Sequence, residues 1–176
     1  ERIKTMRAYG AKVILTPQEN GMEGAIDLVN DKLQSGDYVM LNQFANPDNP
    51  RAHFETTGPE IWRDTSGEVT HFVSAMGTTG TIMGAGRQLK IQNEKCKIVG
   101  VQPEEGANIP GIRKWPEAYL PKIYDPSVVD EIRYVSEDDA QHMARRLAQE
   151  EGIFSGASSG GAALATLQLA SEIDSG

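Results

Sequence analysis

The stretch Val69-Thr70-His71-Phe72-Val73-Ser74-Ala75-Met76-Gly77-Thr78-Thr79-Gly80-Thr81-Ile82 decides how this chain is built. Val69 to Ala75 is an apolar run of strand length, and Ile82 to Leu89 has the spacing of a helix. Between them, Gly77-Thr78-Thr79-Gly80-Thr81 turns the chain directly from strand to helix. Glycine lets the backbone approach an anion and adopt positive φ. Amides at a helix start point at the oxygens, and threonine hydroxyls add donors. A plain tight turn needs only one or two special residues, so three threonines among the glycines point to a bound anion. Two familiar motifs fail on spacing. A P-loop needs Gly-Lys-Ser/Thr, and a dinucleotide fingerprint needs G-x-G-x-x-G, which this turn misses by one position. The pattern predicts a cradle for one phosphate group.

Working outward, strands and helices alternate. Residues 1 to 9 read as a helix with Ile3 and Met6 on one face and Gly10 as its stop. Lys12 to Leu15 reads as a short strand, Met22 to Gln34 as a helix striped by Ala25, Val29 and Leu33, and Tyr38 to Leu41 as a second strand. Asn46-Pro47-Asp48-Asn49-Pro50 is a turn cluster and a lobe boundary. Phe54 to Arg63 looks helical, with Gly58-Pro59 expected to break or kink it. Ile98 to Val101 and Ile132 to Val135 are strands. They flank a Pro- and Gly-rich stretch from Pro103 to Ser127, a length typical of functional loops. Ser136-Glu137-Asp138-Asp139 caps a helix through Gln149 with Met143 and Leu147 inward, and Ser159 to Ile173 forms the last helix. The expected class is α/β, a mostly parallel sheet with helices on both faces.

Composition excludes several function classes. The 176 residues carry 17 basic and 25 acidic side chains, a net charge of −8, which disfavours nucleic acid and anionic membrane as partners. The single cysteine, Cys96, forbids an intrachain disulfide and reads as a half-buried strand-edge thiol between Lys95 and Lys97. The three histidines are too dispersed for a metal site, and no apolar run reaches membrane-span length. A cytoplasmic enzyme or binding protein is expected.

Three other places invite chemistry. Ser155-Gly156-Ala157-Ser158-Ser159-Gly160-Gly161 contains a G-x-S-x-G pattern, as in a hydrolase nucleophile elbow. That order demands a downstream histidine, whereas His53, His71 and His142 all lie upstream. A helix cap by Ser158 or Ser159, or a polar contact from one of them to a bound ring, is equally open. Gln43 follows a strand end, where open α/β sheets bind ligands, although an ordinary exposed glutamine fits as well. Arg113, Lys114 and Trp115 either reach over a site from the long loop or lie on the surface. Glu104-Glu105 and Asp138-Asp139 read as a solvated loop and a helix start.

Taken together, these residues resemble the cysteine synthase family of pyridoxal-phosphate enzymes. The resemblance rests on Met6-Arg7-Ala8-Tyr9-Gly10-Ala11, Gln43-Phe44 with Asn46 to Pro50, Thr57-Gly58-Pro59-Glu60-Ile61-Trp62 and Gly77 to Thr81. It continues through Gln102 to Gly106, Ile109-Pro110-Gly111-Ile112-Arg113, Glu151 to Phe154 and Ser158 to Gly161. Thr79, where A-type members usually carry glycine, and the Ile109 to Trp115 loop favour the B type.

The resemblance implies a two-lobed, tryptophan-synthase-β-like fold, with residues 1–45 ending the small lobe and 46–176 forming most of the large cofactor lobe. It implies pyridoxal 5'-phosphate, with Gly77, Thr78, Thr79, Gly80 and Thr81 on its phosphate and Ser158 on its pyridine nitrogen. Gln43 would hold the substrate carboxylate, and Arg113 would stand near the entrance. The implied reaction makes L-cysteine from O-acetylserine and sulfide or thiosulfate by β-replacement, in a cytoplasmic homodimer without metal. The family's Schiff-base lysine, with its Gly-Ser-x-Lys surroundings, has no counterpart among these residues; Lys12 and Lys32 read as a strand edge and a helix surface. The expectation is therefore an interior fragment, inactive alone. Rival expectations are a cystathionine synthase, a serine or threonine dehydratase, a non-catalytic phosphate-ligand-binding module, and last a serine hydrolase.

Overall fold

The computed structural model describes residues 1–173, which divide into two compact units, Glu1–Leu41 and Asn42 onward. In the first unit, α1 (Arg2–Ala8) is followed by Gly10 at φ +84°, a left-handed value that glycine adopts without penalty. Helix α2 (Gly21–Leu33) half-buries its Ala25, Val29 and Leu33 stripe. Lys12 to Leu15 and Tyr38 to Leu41, expected as strands, are irregular instead. A strand exists only by laddering to a neighbour, and neither segment has one among the described residues. Leu15, Val39 and Leu41 are accordingly 68%, 95% and 83% exposed. A short apolar run encodes a wish for burial, not a partner.

The second unit opens with a continuous helical run: α3 (Asp48–Ala52), a π-helical turn (His53–Thr57) and α4 (Gly58–Asp64). The expected turn at Asn46 to Pro50 is thus a helix start. Pro47 is the N-cap and Pro50 falls in the first turn, where amides have no intrahelical partner to lose. The expected break at Gly58-Pro59 is absorbed as well. The wider turn shifts the hydrogen-bond register just ahead of Pro59, which supplies no N–H, and the helix continues.

Strands β1 (His71–Ala75), β2 (Lys97–Pro103) and β3 (Glu131–Val135) form a parallel sheet in that order. The register pairs His71 with Lys97, and Val99 with Glu131. Helix α5 (Gly80–Gln92) links β1 to β2 and packs on one face with α3 and α4. There Met76, Ile82, Met83, Leu89, Cys96, Ile98 and Val128 are buried against Phe72 and Ile132. Helices α6 (Glu137–Glu150) and α7 (Ala157–Glu172) bring the second core, Val101, Ile109, Ile112, Val135, Ala140 and Ala165 against Val73 and Ala75. Phe72 and Val73 thus point to opposite faces, as the two-residue period of a strand requires. Each large aliphatic side chain buried this way contributes about 1.5–3 kcal/mol.

Ser136 caps α6 as expected, its Oγ accepting the Asp139 amide at 3.1 Å. Cys96 departs from expectation: it is fully buried in the first core, because Lys97 begins β2 one residue later and turns outward in its stead. No described helix is long and apolar enough to cross a membrane.

Candidate functional site

Gly77 to Thr81 leaves the carboxyl end of β1 and enters α5. Thr79 is the helix N-cap at φ +72°, a left-handed conformation that β-branched residues rarely take. It is 3% exposed, and its Oγ1 is buried without a hydrogen-bond partner. Backbone strain and an orphaned hydroxyl each cost about 1–3 kcal/mol, and here one residue carries both. An anion lying in the turn would take the hydroxyl's hydrogen and face the first amides of a 13-residue helix.

A second layer supports the turn. Asn49 Nδ2 donates to the Gln43 carbonyl at 2.7 Å and to Thr78 Oγ1 at 3.1 Å. His53 lies between two threonines, Nε2 at 3.2 Å from Thr81 Oγ1 and Nδ1 at 3.0 Å from Thr57 Oγ1. Asn49, His53 and Thr57 recur every four residues and so share one face of the helical run. Sequence reading missed Asn49 because its Asn-Pro cluster looks like a turn. It missed His53 because histidines bear there only on a metal site or on a hydrolase's downstream base. The four-residue spacing was the available signal.

The long loop crosses this site. The Arg113 amide donates to the Met76 carbonyl at 2.8 Å, and the Trp115 indole donates to the Gly77 carbonyl at 2.7 Å. Phe44 meets the Trp115 ring edge-on at 5.2 Å, and the Arg113 guanidinium covers it at 4.6 Å. Arg113 and Trp115 thus lie against the turn. Lys114 instead approaches the Tyr134 ring, at 5.7 Å.

Gly111 stands between the turn and α7. A Cβ on Gly77 would lie 2.9 Å from the Gly111 carbonyl, and one on Gly111 would lie 3.0 Å from Ser158 Oγ. Gly77, Gly111 and Ser158 are therefore neighbours. The expected helix cap by Ser158 or Ser159 is not formed: α7 starts at Ala157 with Gly156 as its cap, so both serines fall inside the first turn. Gln43 enters the network through its backbone carbonyl.

Among the described residues no three His, Cys, Asp or Glu side chains gather as a metal would need. Burial, and then the charge of Asp130, push the Cys96 thiol up and away from thiolate reactivity. An open groove of about 590 Å³ between Asp64–His71 and Thr166–Ile173 contains none of these site residues.

Comparison with known proteins places the chain in a family. The model of a family described as "Pyridoxal-phosphate dependent enzyme" matches residues 1–176. Cysteine synthase B of Pseudomonas aeruginosa is 58% identical over 174 residues, 99% of this chain and 58% of that protein. Cysteine synthase B of Escherichia coli is 55% identical over 170 residues, 97% of this chain and 56% of that one. The chain thus spans little more than half the length of these relatives. Among solved structures, a cysteine synthase of Entamoeba histolytica superposes with TM-score 0.84 at 42% identity, covering 93% of this chain and 51% of that one. An O-ureido-L-serine synthase superposes with TM-score 0.90 at 34% identity, covering 99% and 58%.

Proposed function

Because the chain belongs to the pyridoxal-phosphate dependent enzyme family, we propose that Gly77 to Thr81 holds the phosphate of pyridoxal 5'-phosphate in a cysteine synthase of the B type. The observation that carries this reading is Thr79: a strained N-cap with a buried, unpartnered hydroxyl at a helix N-terminus. Those features fit a phosphate monoester, since the Thr81 amide and the hydroxyls of Thr78, Thr79 and Thr81 are donors around the turn. Ser158, at the head of α7 beside Gly111, fits the pyridine nitrogen. Its hydroxyl is neutral and so does not hold a proton on that nitrogen as a carboxylate would.

The cofactor, when bound, supplies the electron sink for loss of the substrate's Cα proton and of its β leaving group. The net exchange breaks the Cβ–O bond of O-acetylserine with departure of acetate, and forms a Cβ–S bond to sulfide or thiosulfate. Within this division of labour Gln43 holds the substrate carboxylate. Arg113, stacked on Trp115, faces the incoming sulfur donor as a fixed cation at the mouth of the site. Assignment of a cytoplasmic homodimer rests on the family resemblance alone.

The test is turnover by the full-length protein. Cysteine formation from O-acetylserine and sulfide is expected; turnover only with homocysteine or threonine would move the assignment to a cystathionine synthase or a dehydratase. The similarity to an O-ureido-L-serine synthase supports a second reading, β-replacement with an oxygen nucleophile. Competition between hydroxyurea and sulfide for O-acetylserine separates the two.

A further inference from the structure

We propose that Asn49 is a positioning residue that aims the Thr78 hydroxyl at the bound phosphate, an inference that rests on the cofactor reading above. The orientation of its amide is set by its neighbour. The Gln43 carbonyl can only accept, so the atom 2.7 Å from it is the Nδ2 donor. The other hydrogen of the same nitrogen goes to Thr78 Oγ1 at 3.1 Å. Thr78 Oγ1 also accepts the Gly80 amide at 3.3 Å. A hydroxyl oxygen has two lone pairs and one hydrogen. With both lone pairs engaged by donors, the hydrogen is left to donate, and neither of those partners can receive it. Thr78 is thereby a directed donor before any ligand arrives, which removes an orientational cost from binding.

The backbone is built to admit this arrangement. A Cβ on Gly80 would collide with Asn49 Oδ1, and a Cβ on Gly84, one turn later, would collide with the Pro50 carbonyl. Two glycines on one face of α5 thus let the start of α3 lie against the turn. Asn49 acts through Thr78, so its effect must vanish when Thr78 has no hydroxyl.

The experiment measures equilibrium binding of pyridoxal phosphate, and of unphosphorylated pyridoxal, to the full-length protein by dialysis and absorbance. The variants are Asn49→Ala, Asn49→Asp, Thr78→Ala and the Asn49→Ala/Thr78→Ala pair. Asn49→Ala is expected to weaken pyridoxal phosphate about tenfold, the worth of one directed hydrogen bond to a charged acceptor. Asn49→Asp is expected to weaken it further, because a carboxylate accepts the Thr78 hydrogen and turns the donor away. In the Thr78→Ala background, Asn49→Ala should change affinity less than about twofold. Pyridoxal binding should not change. Equal losses in both backgrounds, or an equal loss for pyridoxal, would overturn the proposal in favour of a general packing role. Should Asn49→Ala fail to fold, Asn49→Asp, which is isosteric, decides alone: wild-type affinity overturns the proposal. Wild-type protein that binds pyridoxal phosphate no more tightly than pyridoxal would overturn the cofactor reading itself, and this inference with it.

Discussion

A threonine at φ +72° with a buried hydroxyl and no partner is unfavourable twice over, so something besides folding must account for Thr79. Replacing it by glycine separates stability from binding. Thr79→Gly relieves the left-handed strain, about 1–2 kcal/mol, and the orphaned hydroxyl, while adding backbone entropy worth about 0.5–1 kcal/mol to the unfolded chain. The cofactor-free protein should therefore unfold at higher urea, by about 1–4 kcal/mol, while its affinity for pyridoxal phosphate falls about tenfold or more. Loss of both stability and affinity would show Thr79 to be a structural residue. Gly80→Val is the converse case. Its side chain would occupy the place of the Asn49 amide, so cofactor retention through dialysis should be lost even where the protein stays folded. At this scale the sequence was partly legible. Glycines and threonines between a strand and a helix announce an anion site by composition alone. Asn49 and His53 do not, because their role depends on which face of a helical run meets the turn, and that run was hidden behind two Asn-Pro pairs.

The elements show where local pattern suffices and where it fails. β1, β2 and β3 were legible because each pairs within the unit that contains it and alternates its side chains between two cores. The segments at 12–15 and 38–41 were not, because a four-residue apolar run says nothing about where its ladder partner lies. The junction of β2 with α5 is tied by Asp130, whose carboxylate accepts the Ile98 amide at 2.8 Å and the Lys90 ammonium at 2.9 Å. Burial alone would raise the Asp130 carboxyl, but the Ile98 amide, with Lys90 and Lys97, outweighs it and holds the group below its usual value. A depressed folded value means that this contribution is complete above the ordinary carboxylate value near pH 4, and is lost as pH falls through the folded one. Asp130→Asn keeps an acceptor for the Ile98 amide and removes the charge facing Lys90. It should cost about 1 kcal/mol at pH 7 and flatten the stability profile below pH 4, as read from urea midpoints. A profile parallel to wild type would assign the acid sensitivity elsewhere. Ser136→Ala is the simpler case, removing the α6 cap for about 1 kcal/mol without touching cofactor affinity.

At the scale of the whole molecule the question is whether any lysine of these residues meets the phosphate cradle. Cofactor binding and proton transfer need different groups: the first is a matter of donors around a phosphate, the second of an amine held against the reacting carbon. The eight lysines of the chain can be accounted for. Lys4, Lys12 and Lys32 belong to the first unit, and Lys32 lies 5.4 Å from the centre of the Tyr38 ring. Lys90 and Lys97 face Asp130 on the far end of α5, and Lys114 covers Tyr134. Lys95 precedes β2 and Lys122 follows the loop turn at 117–119, both exposed. None of the five in the second unit stands among the residues that surround Gly77 to Thr81. A polypeptide of these 176 residues, mixed with pyridoxal phosphate and reduced with borohydride, should therefore carry label scattered over several lysines at low occupancy. Mapping the labelled peptides by mass spectrometry measures this directly. One lysine labelled stoichiometrically, together with cysteine formation from O-acetylserine and sulfide, would show that the phosphate cradle and a competent amine already coexist within this stretch.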